Sequence, residues 1–152
     1  MLEQSTHVFD LIRYFLGDVE EVQAFGKKDI YFADFEECTT CNMKFKSGAV
    51  GNVTSTCVAR ATAGFATELV GNDVYLKLTH DTKLQGNIDG NAIDYDGEES
   101  GYYRQVEQFI KAVQAGDQKS IKTDYADAVK SVAVTLAANK SMETGKVEKV
   151  EL

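Results

Sequence analysis

A histidine flanked by two carboxylates lies close to the start of the chain. In the stretch EQSTHVFDLIRYFLG, Glu3 precedes His7 by four residues and Asp10 follows it by three. On a helix these side chains, together with Tyr14, occupy one narrow sector. A histidine titrates near neutral pH, and a carboxylate one turn away can orient its imidazole. The spacing therefore indicates a candidate proton-transfer group at His7.

The same spacing also fits a histidine without a chemical role. Glu and His at positions i and i+4 commonly pair on solvated helix surfaces, where each pair contributes little to stability. The sector that contains His7 lies well away from the apolar stripe of the helix, which argues against a core position. Spacing alone leaves a surface pair and a proton-transfer residue open.

Hydrophobic periodicity predicts the elements that hold these residues. An apolar stripe over residues 3–16 predicts the first helix, with Gly17 as its stop; the stripe consists of Val8, Leu11, Ile12, Phe15 and Leu16. Between residues 18 and 98 the pattern changes to short β-like runs. Alternation and turn residues predict two hairpins and then two weaker, polar strands, within CNMKFKSGAVGNVTSTCV, ATELVGNDVYLKL and TKLQGNIDGNAIDYDG.

Two further helices and a strand are predicted at the C-terminal end. The first helix ends at Gly116 and has an apolar face of Tyr102, Val106, Phe109, Ile110 and Val113. The second begins at a cap, Thr123 or Asp124, and ends at Gly145. Its predicted buried stripe is Val129, Val132, Ala133, Leu136 and Ala137, and KVEKVEL would form the last strand.

This segregation of strands and helices predicts an α+β fold. We expect an open-faced, mostly antiparallel sheet with helices packed on one face, in a single domain over residues 1–152. The strands carry many Thr, Asn and Lys residues on the other side. That second face is expected to be solvated or to form an interface.

Composition excludes several classes of partner. The chain has 152 residues and a formal net charge of −8 without a basic cluster, which argues against nucleic acid and anionic membranes as partners. It has neither a membrane-spanning apolar run nor a basic, apolar leader. Its three cysteines are an odd set and not a disulfide framework. A reduced, cytoplasmic protein is expected.

The other chemical candidates have simpler explanations. Cys38 and Cys41 form a C-x-x-C pair, but on a strand residues three apart point to opposite faces, so ordinary thiols are expected. His80 lies in a predicted turn and is expected to be exposed. An acidic cluster lacks the spacing of a calcium loop; it consists of Asp94, Asp96, Glu98 and Glu99. No metal site is predicted.

Four segments, in order, resemble the C-terminal domain of the glucose–fructose oxidoreductase and inositol dehydrogenase family (Gfo/Idh/MocA). The family carries a D/E-x-x-x-H-x-x-D motif on the first helix of this domain, which here corresponds to Glu3, His7 and Asp10. The other three segments are MKFKSGAVGNV, YYRQVEQFIKAVQAG and TDYADAVKSVAVTLAANKSMETGKVEKVEL. The resemblance implies a fold of the dihydrodipicolinate-reductase-like C-terminal type.

The resemblance also implies a function. Members are two-domain NAD(P)-dependent oxidoreductases of sugars, polyols and related compounds, and this domain supplies the proton-transfer histidine, most of the substrate pocket and a sheet that associates subunits. His7 would be that histidine, and Asp10 would support the helix. Glu3, Tyr102 and Arg60 would contact the substrate, with a place in the buried stripe as the alternative for Tyr102. A homo-oligomer through the sheet face is implied.

The nucleotide-binding half of such an enzyme does not occur in this sequence. The chain contains no G-x-G-x-x-G turn between a strand and a helix, and without proline it has no E-K-P lysine. We therefore expect a C-terminal fragment whose Rossmann domain is absent, and which alone binds no NAD or NADP and is inactive. The alternative function is a non-catalytic dimerisation or small-ligand binding module.

Overall fold

The computed structural model describes residues 5–28, 34–59, 64–80, 82–97 and 101–151. Its elements, in chain order, are α1 (Ser5–Leu16), β1 (Val19–Lys27), β2 (Cys38–Phe45), β3 (Val50–Thr56), β4 (Ala66–Val70), β5 (Val74–Thr79), β6 (Lys83–Ile88), β7 (Asn91–Asp96), α2 (Gly101–Ala115), a 3₁₀ turn (Gln118–Ser120), α3 (Tyr125–Thr144) and β8 (Glu148–Lys149). The α+β class and the antiparallel pairing are confirmed. The strands form two four-stranded sheets rather than one.

The chain divides into two compact units. The first unit comprises Met1–Arg60 and Thr123–Leu152, and the second comprises Ala61–Lys122. The first unit holds α1, β1–β3, α3 and β8, and the second holds β4–β7, α2 and the 3₁₀ turn. That the whole chain is a single domain stays a prediction.

In the first unit, α1 and α3 pack on one face of a sheet whose strand order is β3-β2-β1-β8. The pleat sends alternate residues of each strand into this layer, so that Cys41 of β2 lies between Ala24 and Val53. The helices contribute Phe9 and Val134, both essentially buried. Full burial of a side chain such as Phe9 is worth about 1.5–3 kcal/mol, so its packing contributes substantially to holding α1 on the sheet.

The other face of this sheet carries a ladder of polar, uncharged side chains. Thr40 and Thr54 lie opposite each other on β2 and β3, with their hydroxyl oxygens 3.2 Å apart. Asn52 donates from Nδ2 to Thr40 Oγ1 at 3.1 Å and to Asn42 Oδ1 at 2.8 Å. The ladder borders a shallow concavity of about 580 Å³ whose rim includes Glu21 and Lys44. These side chains therefore hydrogen-bond to one another within the ladder itself.

The second unit is built on an antiparallel meander, in the strand order β4-β5-β6-β7. Direct pairing places Leu69, Leu76 and Ile93 in one row, with Gly86 between the last two. Gly86 has a φ of +147°, and a Cβ there would lie 1.9 Å from the carbonyl oxygen of Tyr75. Only glycine therefore fits at the centre of β6.

The buried side of α3 differs from the predicted one. Val129, Val132 and Leu136 are 45%, 41% and 54% exposed, so the predicted stripe is wrong apart from Ala137 and the partly buried Ala133. The buried side is formed mainly by small residues, namely Ser131, Val134, Thr135, Ala137, Ala138 and Ser141. Ala24 N donates to Ser141 Oγ at 2.9 Å, which requires the helix to lie close to β1. Close approach favours small residues over large apolar ones.

The apolar face of α2 is exposed. The alternative expected for Tyr102, a place in a buried stripe, is therefore wrong. The five predicted residues of this face are between 48% and 80% exposed, and Ala112 is the buried residue of the helix. Within its unit α2 packs on the 3₁₀ turn, where Gln108 Nε2 donates to the carbonyl oxygen of Ser120 at 3.2 Å. Periodicity predicts which side of a helix is apolar, but not what covers it.

Candidate functional site

The helix that carries His7 is fixed to the sheet by its apolar side. Phe9 is fully buried and Ile12 is 8% exposed, both in the core of the first unit. Of the predicted stripe, Phe15 is 43% exposed. Gly17, with a φ of +86°, ends the helix and donates its N–H to the carbonyl oxygen of Arg13 at 2.8 Å. The predicted helix is confirmed over its described part, Ser5–Leu16, and its stop at Gly17 is confirmed.

His7 is exposed on the opposite side of α1. At about 100° per residue it lies about 160° round the helix from Phe9 and about 140° from Ile12. Tyr14 is 77% exposed and lies on the same side as His7, two turns further along. The ring of Tyr14 contacts that of Phe15 edge to face, at a centroid distance of 5.4 Å. His7 is therefore accessible to a ligand from solvent.

A buried arginine joins α1 to α3. The Arg13 side chain is 6% exposed and donates from Nη1 to Ser131 Oγ at 2.7 Å. The same Nη1 donates to the backbone oxygen of Asp127 at 3.2 Å, and Nη2 donates to Asp127 Oδ1 at 2.9 Å. An enclosed charge is tolerated only with such partners. The guanidinium therefore fixes how the two helices meet.

Asp10 belongs to the same network. Ser131 Oγ donates to Asp10 Oδ1 at 2.6 Å, while Arg13 Nη1 lies 3.8 Å from that oxygen. The Ser131 hydroxyl thus accepts a hydrogen bond from Arg13 and donates one to Asp10. These two partners lie three residues apart on α1. This geometry agrees with the helix-supporting role expected for Asp10.

Asp18, just after α1, is a third carboxylate close to Arg13. Arg13 Nη2 donates to Asp18 Oδ1 at 3.4 Å, and Lys130 Nζ lies 3.5 Å from the same oxygen. Partial burial raises the pKa of Asp18, but the hydrogen bond from Arg13 and the charges of Lys130, Arg13 and Lys46 outweigh it and lower the pKa below its ordinary value. The carboxylate is therefore bound more favourably in its ionised form.

Polar contacts also hold both ends of α1. Ser5 Oγ donates to Ser55 Oγ on β3 at 2.9 Å. At the other end, Ser47 Oγ donates to the carbonyl oxygen of Leu16 at 2.9 Å and satisfies a terminal backbone acceptor. The helix is thus fastened at its start, along its apolar side and at its end, while the side with His7 is free of these contacts.

None of the other predicted site residues belongs to the described part of the first unit. Glu3 and Arg60 lie outside the described residues. Tyr102, 80% exposed, is the second residue of α2 and belongs to the second unit. Contacts of these three residues with a substrate stay predictions.

The cysteines and His80 lie where the sequence places them. Cys38 and Cys41 face opposite sides of β2, and burial raises the pKa of the Cys41 thiol to about 12. His80 is exposed in the turn after β5, with a φ of 52°. Among the described residues, no group of three His, Cys, Asp or Glu side chains is arranged to hold a metal ion.

The network around Arg13 was not predicted from the sequence. A signal was present, because Arg13 interrupts an otherwise apolar helix end three residues after Asp10. Its partners Asp127 and Ser131 are more than 110 residues away in the chain. Their pairing depends on how α3 is set against α1, which local spacing does not reveal.

Comparison with known proteins identifies the domain. Residues 1–77 match a family described as the GFO/IDH/MocA C-terminal domain. No curated protein matches the sequence. Within the part of the chain that the structure describes, no helix is both long and apolar enough to cross a membrane.

Several solved structures share the fold at low sequence identity. Levoglucosan dehydrogenase in complex with NADH and L-sorbose is 19% identical, with a TM-score of 0.85 over 98% of this chain and 49% of that one. The WlbA dehydrogenase from Bordetella pertussis, in complex with NADH and UDP-GlcNAcA, is 18% identical, with a TM-score of 0.78 over 99% of this chain and 45% of that one. An oxidoreductase from Agrobacterium radiobacter, in complex with NAD+, L-tartaric acid and magnesium, is 19% identical, with a TM-score of 0.81 over 97% of this chain and 48% of that one. The chain spans slightly less than half of these proteins.

The Arg13–Asp18 contact predicts a pH dependence of stability. Because the pKa of Asp18 is lowered on folding, its contribution is complete above the unfolded-state value of about 3.9 and is lost as the pH falls through the folded-state value. As the pH is lowered below about 5, the free energy of unfolding should decrease less steeply in Asp18→Asn than in the parent chain. Urea unfolding between pH 7 and pH 3 measures this.

Asp73→Asn, at an exposed turn position, is the control and should keep the slope of the parent chain. Some slope should persist in Asp18→Asn, because the pKa values of Glu36 and Glu148 are also lowered. Equal slopes for the parent, Asp18→Asn and Asp73→Asn would contradict the ion pair.

Proposed function

Because the chain belongs to the GFO/IDH/MocA C-terminal domain family, we propose that it is the substrate-binding and oligomerisation domain of an NAD(P)-dependent oxidoreductase. The substrate would be a sugar, a polyol or a related hydroxy compound, and His7 would transfer the proton of the reacting hydroxyl. Two solved structures of this fold support the proposal. One contains NADH and UDP-GlcNAcA, and the other contains NADH and L-sorbose.

The exposure of His7 on a fastened helix is the observation that carries this proposal. A general acid or base must reach the proton that it moves, and it must keep one position while the substrate binds. His7 is exposed, whereas Phe9 and Arg13 of the same helix are buried. This combination suits an imidazole that receives a hydroxyl proton during oxidation or returns it during reduction.

Substrate specificity would involve residues beyond His7. We propose that Glu3, Tyr102 and Arg60 contact the substrate hydroxyls, as the resemblance to the family implies. Tyr102 supports this in one respect, because its phenol is exposed and available as a donor. Which sugar or polyol is bound depends on the complete pocket.

The described residues do not fit a nicotinamide dinucleotide. A pyrophosphate is held by a glycine-rich turn between a strand and a helix. Among the described elements, the glycine-containing connection from a strand to a helix is the one between β7 and α2, and its sequence, DGEESG, lacks the G-x-G-x-x-G spacing and carries three acidic residues. The cofactor would supply the hydride step from a Rossmann domain outside this sequence. The chain alone is accordingly expected to be inactive and to bind neither NAD nor NADP.

Self-association through the open sheet face of the first unit is the second part of the proposal. The Thr–Asn ladder of β2 and β3 is neutral and internally bonded, so little desolvation penalty opposes its burial. Phe25 and Val50, 55% and 79% exposed, add apolar area on the same face. A dimer or tetramer in the cytoplasm stays a prediction.

The test of the proton-transfer role is His7→Ala in the intact oxidoreductase. Loss of a general acid–base group should lower kcat by about 10²- to 10⁴-fold. Steady-state rates with a panel of sugars and polyols and both nicotinamide cofactors measure it. His80→Ala, at the exposed turn histidine, is the control and should retain the parent kcat.

Turnover of His7→Ala within a few-fold of the parent would exclude the proton-transfer role. If the parent also turned over no member of the panel while the chain still self-associated, the non-catalytic dimerisation module would become the better account. The turnover rates of the parent and of His7→Ala, together with the molecular mass of the parent in solution, therefore distinguish the two functions.

The test of the interface is Thr54→Lys on the open sheet face. The added charge should be costly to bury, so the dimer or tetramer should dissociate at least tenfold more readily. Light scattering coupled to size exclusion over a concentration series measures this. The control is Glu143→Lys, an exposed change on α3 in the helical layer, which should leave the molecular mass in solution unchanged. A monomeric parent, or equal dissociation of the two variants, would exclude this face as the interface.

A further inference from the structure

We propose that Ser131 and Arg13 are positioning residues for His7. Their shared hydrogen bonds would fix the rotation of α1 about its own axis, and with it the point to which the imidazole projects. This inference rests on the proton-transfer role proposed for His7. It adds to that role two residues that do not touch the substrate.

Apolar packing alone leaves this rotation poorly defined. Contacts of Phe9 and Ile12 with the sheet are non-directional, so small rotations of α1 change their burial little. A rotation of about 10° moves a group about 6 Å from the helix axis by about 1 Å. A displacement of about 1 Å in a reacting group can cost about 100-fold in rate.

The network around Ser131 adds directional contacts along the helix to the hydrogen bonds that hold its two ends. Ser131 Oγ accepts from Arg13 Nη1 at 2.7 Å and donates to Asp10 Oδ1 at 2.6 Å, which ties two successive turns of α1 to one point on α3. Asp10 lies one turn from His7. Ser131 is 2% exposed and Arg13 is 8% exposed, so water competes little for these bonds.

A second serine on α3 provides a matched control. Ser141 is fully buried, and its Oγ accepts from Ala24 N at 2.9 Å and donates to the carbonyl oxygen of Lys146. Both serines therefore make two hydrogen bonds from the buried side of one helix. The bonds of Ser141 go to β1 and to the end of α3 instead of α1, so Ser141→Ala should lose comparable stability without releasing α1.

The first measurement is NMR of the His7 imidazole in this chain. Ser131→Ala should move the imidazole ¹H and ¹³C signals of His7 by more than their linewidth, and Ser141→Ala should leave them in place. Ser131→Thr keeps the hydroxyl and should restore the parent positions. If Ser131→Ala does not fold, Arg13→Lys replaces it, because an ammonium cannot reproduce the forked contacts of the guanidinium.

The second measurement is the split between kcat and KM in the intact oxidoreductase. Ser131→Ala should lower kcat about tenfold with KM within twofold of the parent, Ser141→Ala should keep both, and Ser131→Thr should recover kcat. Equal kcat values for Ser131→Ala and Ser141→Ala, or unmoved His7 signals, would overturn the positioning role. Failure of the proposed function is distinguishable, because there His7→Ala would keep its turnover whatever Ser131→Ala does.

Discussion

The position of α1 depends on one enclosed positive charge, the guanidinium of Arg13. Removing such a group from water is costly, and the cost is offset only when its N–H groups find oxygen partners in good geometry. Those partners come from α3 and from the residue just before β1, namely Ser131, Asp127 and Asp18. A different setting of α1 against α3 would leave a buried charge unpaired. The interaction thereby selects one arrangement among the many that apolar packing permits.

The layers of the first unit follow from the same constraint. With α1 set by Arg13, Phe9 and Ile12 meet the inner face of the sheet, and α3 lies close enough for its small residues to pack on β1. His7 then projects to the opposite side, and the Thr–Asn ladder lies on the far face of the sheet. The proposed chemistry and the proposed self-association thus use different surfaces. Each surface can be altered by mutation without changing the other.

Local signals in the sequence predict most of the secondary structure. Gly17, Gly116 and Gly145 all have positive φ at the ends of the three helices, and Asp124 caps α3 by accepting from Asp127 N. The hairpins follow from alternation bounded by turn residues. These features depend on a few adjacent residues, so the chain order of the strands and the helix bounds could be predicted before any tertiary contact was known.

Tertiary contacts account for what the sequence did not predict. The buried side of α3 is chosen by close approach to β1, which favours Ser141 over Leu136, whereas a hydrophobicity scale ranks them the other way. The exposed side of α1 could be predicted, because His7 is far round the helix from the apolar stripe. The ties that hold α1 could not, because Arg13 and Ser131 are joined only by the fold.

The proposed proton transfer requires that substrate meets the His7 side of α1. The most direct measurement follows the imidazole signals of His7 and His80 in the intact protein, saturated with NAD or NADP, while sugars and polyols are added. We predict that a compound that the enzyme turns over shifts the signals of His7 and leaves those of His80 unchanged. A compound that is turned over without moving the His7 signals would contradict the account, because the reacting hydroxyl would then lie elsewhere.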